Sequence, residues 1–116
     1  MWTYRAVLVR AVDGDTLVVD IDLGFEVTVR RRLRLAGLDC PAAFTDAGRA
    51  AREAVVAWFA RTAEVTVRTE RDRTEKYGRY LAEVLDRDGR SLNGFLVESG
   101  LALPWDGRGS HPGKDK

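Results

Sequence analysis

The sequence predicts an α+β fold, mainly β with packed helices: a five-stranded Greek-key barrel of the OB type. Three observations predict it. The elements follow the order three strands, helix, two strands, helix, and a helix between the third and fourth strands suits that architecture. The first third alternates apolar and polar residues with the period of two of half-buried strands. The chain has 116 residues, 45% apolar and 32% charged, which is enough for one modest core.

Residues 4–12, rich in Val and Leu, read as the first strand. Residues 16–22 are the second, with Leu17, Val19 and Ile21 on one face. Leu23-Gly24-Phe25 then reads as a hairpin turn in which Gly24 supplies backbone freedom. Residues 26–38 form the third strand, where Leu33 and Leu35 share one face and Arg32 and Arg34 the other, so Arg34 points away from the apolar side. Ala47, Ala50, Ala51, Ala54, Val55 and Trp58 recur at helical spacing, and Thr45 or Asp46 can cap that helix. Residues 64–69 alternate as the fourth strand with Val65 and Val67 inward. Residues 79–86 are the fifth, ended by the Asp88-Gly89 turn. Ser91 caps a short second helix with Leu92, Phe95 and Leu96 inward and Gly100 at its stop. From Asp106 onward Gly, Ser, Pro and Lys dominate, so a domain over residues 1–105 and a flexible polar tail over 106–116 are expected.

Composition narrows the chemistry. Cys40 is the sole cysteine, which excludes an internal disulfide and a cysteine-rich zinc site. His111 is the sole histidine and lies in the tail, against a histidine metal cluster or a Ser-His-Asp triad. Any catalysis here would draw on carboxylates and arginines, with a hard cation as an option. Nineteen basic residues balance eighteen acidic ones, so net charge alone carries no nucleic-acid signature. The distribution says more: sixteen of the basic residues are arginine, and Arg30, Arg31, Arg32 and Arg34 fall within five positions. Arginine's planar fork suits phosphate, although most of such a run on a strand is expected to be a solvated face. No apolar run is long enough to span a bilayer and the N-terminus does not read as a signal peptide, so a cytoplasmic, monomeric protein without a membrane partner is expected.

Three stretches carry the candidate chemistry: Asp13-Gly14-Asp15-Thr16, Arg34-Leu35-Ala36-Gly37-Leu38-Asp39-Cys40-Pro41, and Glu75-Lys76-Tyr77-Gly78-Arg79. Each alone is ordinary turn chemistry. In this order, on this strand pattern, they resemble the staphylococcal-nuclease-like (thermonuclease) family over residues 4–105. The resemblance implies an OB-fold, a single calcium ion and hydrolysis of phosphodiester bonds in single-stranded DNA or RNA. It implies that Asp15 and Asp39 are the calcium carboxylates, that Cys40 offers its backbone carbonyl to the metal, and that Asp13 stands behind them near the metal's waters. Arg34 and Arg79 match the arginines that grip the scissile phosphate, and Lys76 and Tyr77 match contacts to a neighbouring phosphate. Trp105 falls where family members place an aromatic beside the bound base, and a role as a lid on the core is an equal alternative. Such a set suits a hard cation, which takes oxygen donors, and arginine clamps that bind charge growing in the transition state. Compared with the family's archetype, a third, C-terminal helix is expected to be missing from this sequence.

One position departs from the family. The residue after the proline is there a glutamate acting as general base, and here Pro41 is followed by Ala42. Losing a general base typically costs ~10²–10⁴-fold in rate. Asp46 is the nearest spare carboxylate, although a helix-capping role suits it better. Three functions remain open on the sequence: a calcium-dependent nuclease slowed by the missing base, a nucleic-acid-binding module that has lost turnover, and a protein-interaction domain.

Overall fold

In the computed structural model, which describes residues 2–62, 64–71, 80–105 and 112, the described chain forms seven strands and two helices. They are β1 (Trp2–Ala11), β2 (Thr16–Asp22), β3 (Thr28–Leu35), β4 (Leu38–Asp39), α1 (Asp46–Ala60), β5 (Val65–Arg71), β6 (Tyr80–Leu85), α2 (Leu92–Glu98) and β7 (Leu103–Pro104). Five strands close a barrel in the order β1-β2-β3-β6-β5. Its pairs are antiparallel except β3 with β6, where a parallel join needs the long crossover that α1 and β5 provide. The five-stranded barrel with two helices is the expected architecture.

Alternation along β2 and β3 fills the barrel. Leu17, Val19, Leu33 and Leu35 are fully buried and meet Val67 from β5 and Val84 from β6 in one core with Leu92 and Leu96 of α2. A register shift between Leu8 and Arg10 in β1 places Leu8 beside Val19 and Arg10 beside Val18, so Ala11 returns to the core while Arg10 stays outside.

Four details differ from the sequence expectation. The third strand is not continuous over 26–38. It stops at Leu35, Gly37 turns the chain at φ +80°, and Leu38–Asp39 pairs instead with β7; a left-handed residue cannot continue a strand, and glycine adopts it without steric cost. The hairpin before it holds Gly24 at φ +80°, as expected, but runs one residue further than Phe25: Phe25 and Glu26 hold φ +55° and +63°, closed by the Val27 N–H donating to the Gly24 carbonyl. In α1 the buried face is Gly48, Ala51, Val55 and Phe59, whereas Ala47 and Ala50 are exposed. Gly48 turns inward because a Cβ there would lie 1.9 Å from the Ala42 carbonyl oxygen, so only glycine lets α1 press on that loop. Phe95 is partly exposed, and Asn93 takes the inward place beside Leu92 and Leu96.

Asn93 pins two segments to α2. Its amide nitrogen donates to the carbonyls of Ala36 at 2.9 Å and Ala82 at 3.0 Å, and its oxygen accepts the Val84 N–H at 3.1 Å. The buried amide thus serves backbone groups of β6 and of the turn that redirects β3 towards β4.

Candidate active site

The turn between β1 and β2 sets the first carboxylate. Asp13 accepts the Asp15 N–H at 3.0 Å, and the Val12 N–H donates to the Thr16 carbonyl, which closes the turn. Gly14 is there for close approach: a Cβ would come within 2.7 Å of Cys40 Sγ and 2.8 Å of Ala51 Cβ. The turn therefore lies directly on Cys40 and α1, and the Asp15 side chain is buried. Its Oδ2 accepts the Cys40 N–H at 3.0 Å and its Oδ1 accepts the Thr16 hydroxyl at 3.3 Å. The Asp15 carbonyl accepts the Leu35 N–H at 2.8 Å, tying this turn to the end of β3.

Arg34 leaves β3 on the outer face of the barrel, as alternation requires, yet it is only 6% exposed. Covering comes from the β4–β7 ribbon. Arg34 Nη2 donates to Asp39 Oδ1 at 3.2 Å and to the Leu38 carbonyl at 3.4 Å, and lies 4.0 Å from Asp15 Oδ2. Trp105 stacks on it, the ring centroid 4.7 Å from the guanidinium carbon. Trp105 is held by its own N–H, which donates to the Gly37 carbonyl at 3.0 Å. Among the described residues, the Nε and Nη1 groups of Arg34 have no hydrogen-bond partner. A nine-tenths-buried guanidinium with unengaged donors is costly unless something else takes them.

The structure thus brings Asp13, Asp15, Arg34, Asp39, Cys40 and Trp105 together. Cys40 enters through its backbone N–H to Asp15, and its thiol packs against Gly14. Arg79, Lys76 and Tyr77 lie outside the described residues. Asp46 does not reach the site. Its side chain is 96% exposed and pairs with Arg49, while Thr45 caps α1 by accepting the Gly48 N–H. Capping falls to Thr45 because its hydroxyl also donates to the Ala42 carbonyl at 2.7 Å, which fixes the loop after Pro41.

Two carboxylates, one from the β1–β2 turn and one from β4, both buried and both beside one guanidinium, form a hard oxygen donor set. Among the described residues no group of three or more acidic, histidine or cysteine side chains is placed to hold a metal. The donors fit a hard divalent cation that completes its shell with carbonyls, water and the ligand's own oxygens.

Residues 32–115 match the family described as staphylococcal nuclease homologue. The chain belongs to that family. The β1–β2 turn with Asp13 and Asp15 precedes the matched segment. Two curated relatives cover the turn's region more widely. Proteins named "uncharacterized endonuclease" from Escherichia coli O157:H7 and from Escherichia coli are each 30% identical over 105 residues, 90% of this chain. The chain spans 63% of the length of those relatives. In this member of the staphylococcal nuclease family, Arg34 and Ala42 both lie within the matched segment. No helix among the described residues is long and apolar enough to cross a membrane.

Proposed function

We propose that this protein hydrolyses phosphodiester bonds in single-stranded DNA or RNA, with calcium as its cofactor. The observation that carries the reading is the buried Arg34 guanidinium, oriented by Asp39 and Trp105, with Nε and Nη1 left to donate among the described residues. A phosphate diester is the ligand of matching charge and oxygen geometry. The names of the E. coli relatives support the same reaction class. Residues 1–105 are the catalytic domain in this proposal, and 106–116 are an accessory tail.

Asp15 and Asp39 would hold the calcium ion, with the Cys40 backbone and Asp13 behind them. When bound, the ion supplies positive charge against the phosphate and lowers the pKa of nearby water. The chain's own residues do the rest. Arg34 and Arg79 grip the non-bridging oxygens of the scissile phosphate, and bind more tightly as charge accumulates there. Water attacks phosphorus, the P–O ester bond breaks, and the leaving oxygen takes a proton. Lys76 and Tyr77 hold the next phosphate, and Trp105 offers an aromatic edge to a base. The step lacks a side chain to take the proton from water, since Ala42 occupies that position, and turnover is slow in consequence.

That same alanine favours a second reading, a strand-binding module without turnover. One experiment separates the two. A labelled single-stranded DNA is incubated with the protein in calcium and in chelator, while binding is measured in parallel. Cleavage that chelator abolishes supports the nuclease. Binding without cleavage supports the module.

A further inference from the structure

The arginine run on β3 extends beyond Arg34, and three other arginines of the described barrel are already neutralised. Arg30 pairs with Asp20 at 2.9 Å, Arg68 with Glu83 at 3.6 Å, and Arg5 with Glu64 at 3.9 Å. The Arg30 guanidinium holds the Asp20 carboxyl below its usual range, so that pair stays ionised and neutral in sum. Arg10 and Arg32 are different. Among the described residues neither makes an ion pair or a side-chain hydrogen bond. They stand in register on either side of Val18, one from β1 and one from β3, on the outer face.

Val18 is apolar, faces outward, and is only 7% exposed. Its in-register neighbours are the long stems of Arg10 and Arg32, the side chains able to cover it while their charged heads stay in water. Arg32 precedes Arg34 by two residues, so their Cα atoms lie about 6.7 Å apart on one face of the strand. That is the order of the step between successive phosphates on an extended strand. Beside them, the Arg52 Nε of α1 donates to the Ala11 carbonyl at 2.8 Å, adding a third cation at the same end of β1.

We propose that the outer face of β1, β2 and β3 is a phosphate track, in which Arg32 and Arg10 hold backbone phosphates adjoining the one gripped at Arg34. The ligand is the sugar–phosphate backbone of a single-stranded nucleic acid. The track ends where the neutral Arg30–Asp20 pair begins. The inference deepens the proposed function and rests on it for the identity of the central phosphate. Its contacts carry charge and no base sequence, so the track sets affinity and register, not specificity.

The test uses the full chain and a fluorescently labelled oligothymidylate in chelator, so that no strand is cut. Affinity is measured across a range of salt concentrations. Arg32→Ala and Arg10→Ala should each weaken binding and reduce the magnitude of the log–log salt slope by about 0.7, the value for one phosphate contact on a single strand. Arg32→Lys should retain most of the slope, because an exposed phosphate contact needs charge more than a fork. Arg87→Ala, in the exposed turn after β6, should change nothing. A double Arg10→Ala, Arg32→Ala variant with the parent's slope and affinity overturns the track, as does a parent that binds no strand. Normal binding and slope changes in a protein that never cleaves would leave the track standing and remove the nuclease reading.

Discussion

At the scale of single residues, Arg34 unites charge, burial and orientation. Its guanidinium is pinned through one nitrogen by Asp39 and the Leu38 carbonyl, and its face is covered by Trp105. Lysine would keep the charge and lose the planar fork and the stacked face. Arg34→Lys should therefore lower kcat by about 10²–10³-fold, the typical worth of one transition-state donor, with a smaller effect on strand affinity. Single-turnover kinetics beside a binding titration checks this; equal cleavage by the lysine variant would remove the bidentate role. Asp15, Arg34 and Asp39 were legible in the sequence because they sit in short turn motifs whose spacing survives any fold. The cover on Arg34 was not. Strand alternation puts Arg34 outside the barrel, and nothing local to β3 says that a segment nearly seventy residues later returns to bury it.

At the scale of elements, the proposed reaction makes the loop from Cys40 to α1 the place where its rate is set. Ala42 is fixed between the Thr45 cap and the inward-facing Gly48, so its backbone is already placed. If position 42 is the vacant base position, Ala42→Glu should raise cleavage by about 10²–10⁴-fold. A calcium-dependent rate that stays flat on that change would show that the loop aims elsewhere. Because Asp46 is exposed and paired with Arg49, Asp46→Asn should leave cleavage unchanged. Asn93 tests another junction. Asn93→Ala removes both carbonyl contacts and strands the Val84 N–H in the core, which should cost about 1–3 kcal/mol, read as a lower midpoint in urea. The sequence pattern missed Asn93 because a polar residue in a short helix ordinarily faces water, whereas here it answers backbone groups left open where β3 turns away. It missed β4 and β7 for a simpler reason: two residues show no periodicity.

At the scale of the whole molecule, the barrel brings carboxylates from two separated segments beside one another, at a cost in like-charge repulsion that Arg34 offsets. A divalent cation that binds only this assembled pair stabilises the folded state by mass action. Calcium at a hundredfold excess over its dissociation constant should add about 2.7 kcal/mol, a rise in Tm of roughly 10 °C for a domain of this size. Thermal melts in calcium and in chelator measure it. Asp15→Ala and Asp39→Ala should each lose the rise, and an equal rise in all three proteins would place the ion elsewhere. The closed β1-β2-β3-β6-β5 order was within reach of the sequence, since strand number and helix position already imply it.

The β4–β7 ribbon also imposes an order in time. During synthesis Asp15, Arg34 and Asp39 leave the ribosome early, but Leu103 and Trp105, which pair with and cover them, come some 65 residues after Asp39. At ~5–20 residues per second that is a delay of roughly 3–13 s. Throughout it the guanidinium has no roof and Asp39 no strand partner. A nascent chain, even beside a messenger rich in phosphate, thus carries the groups proposed to read phosphate unassembled until translation of the domain is nearly finished.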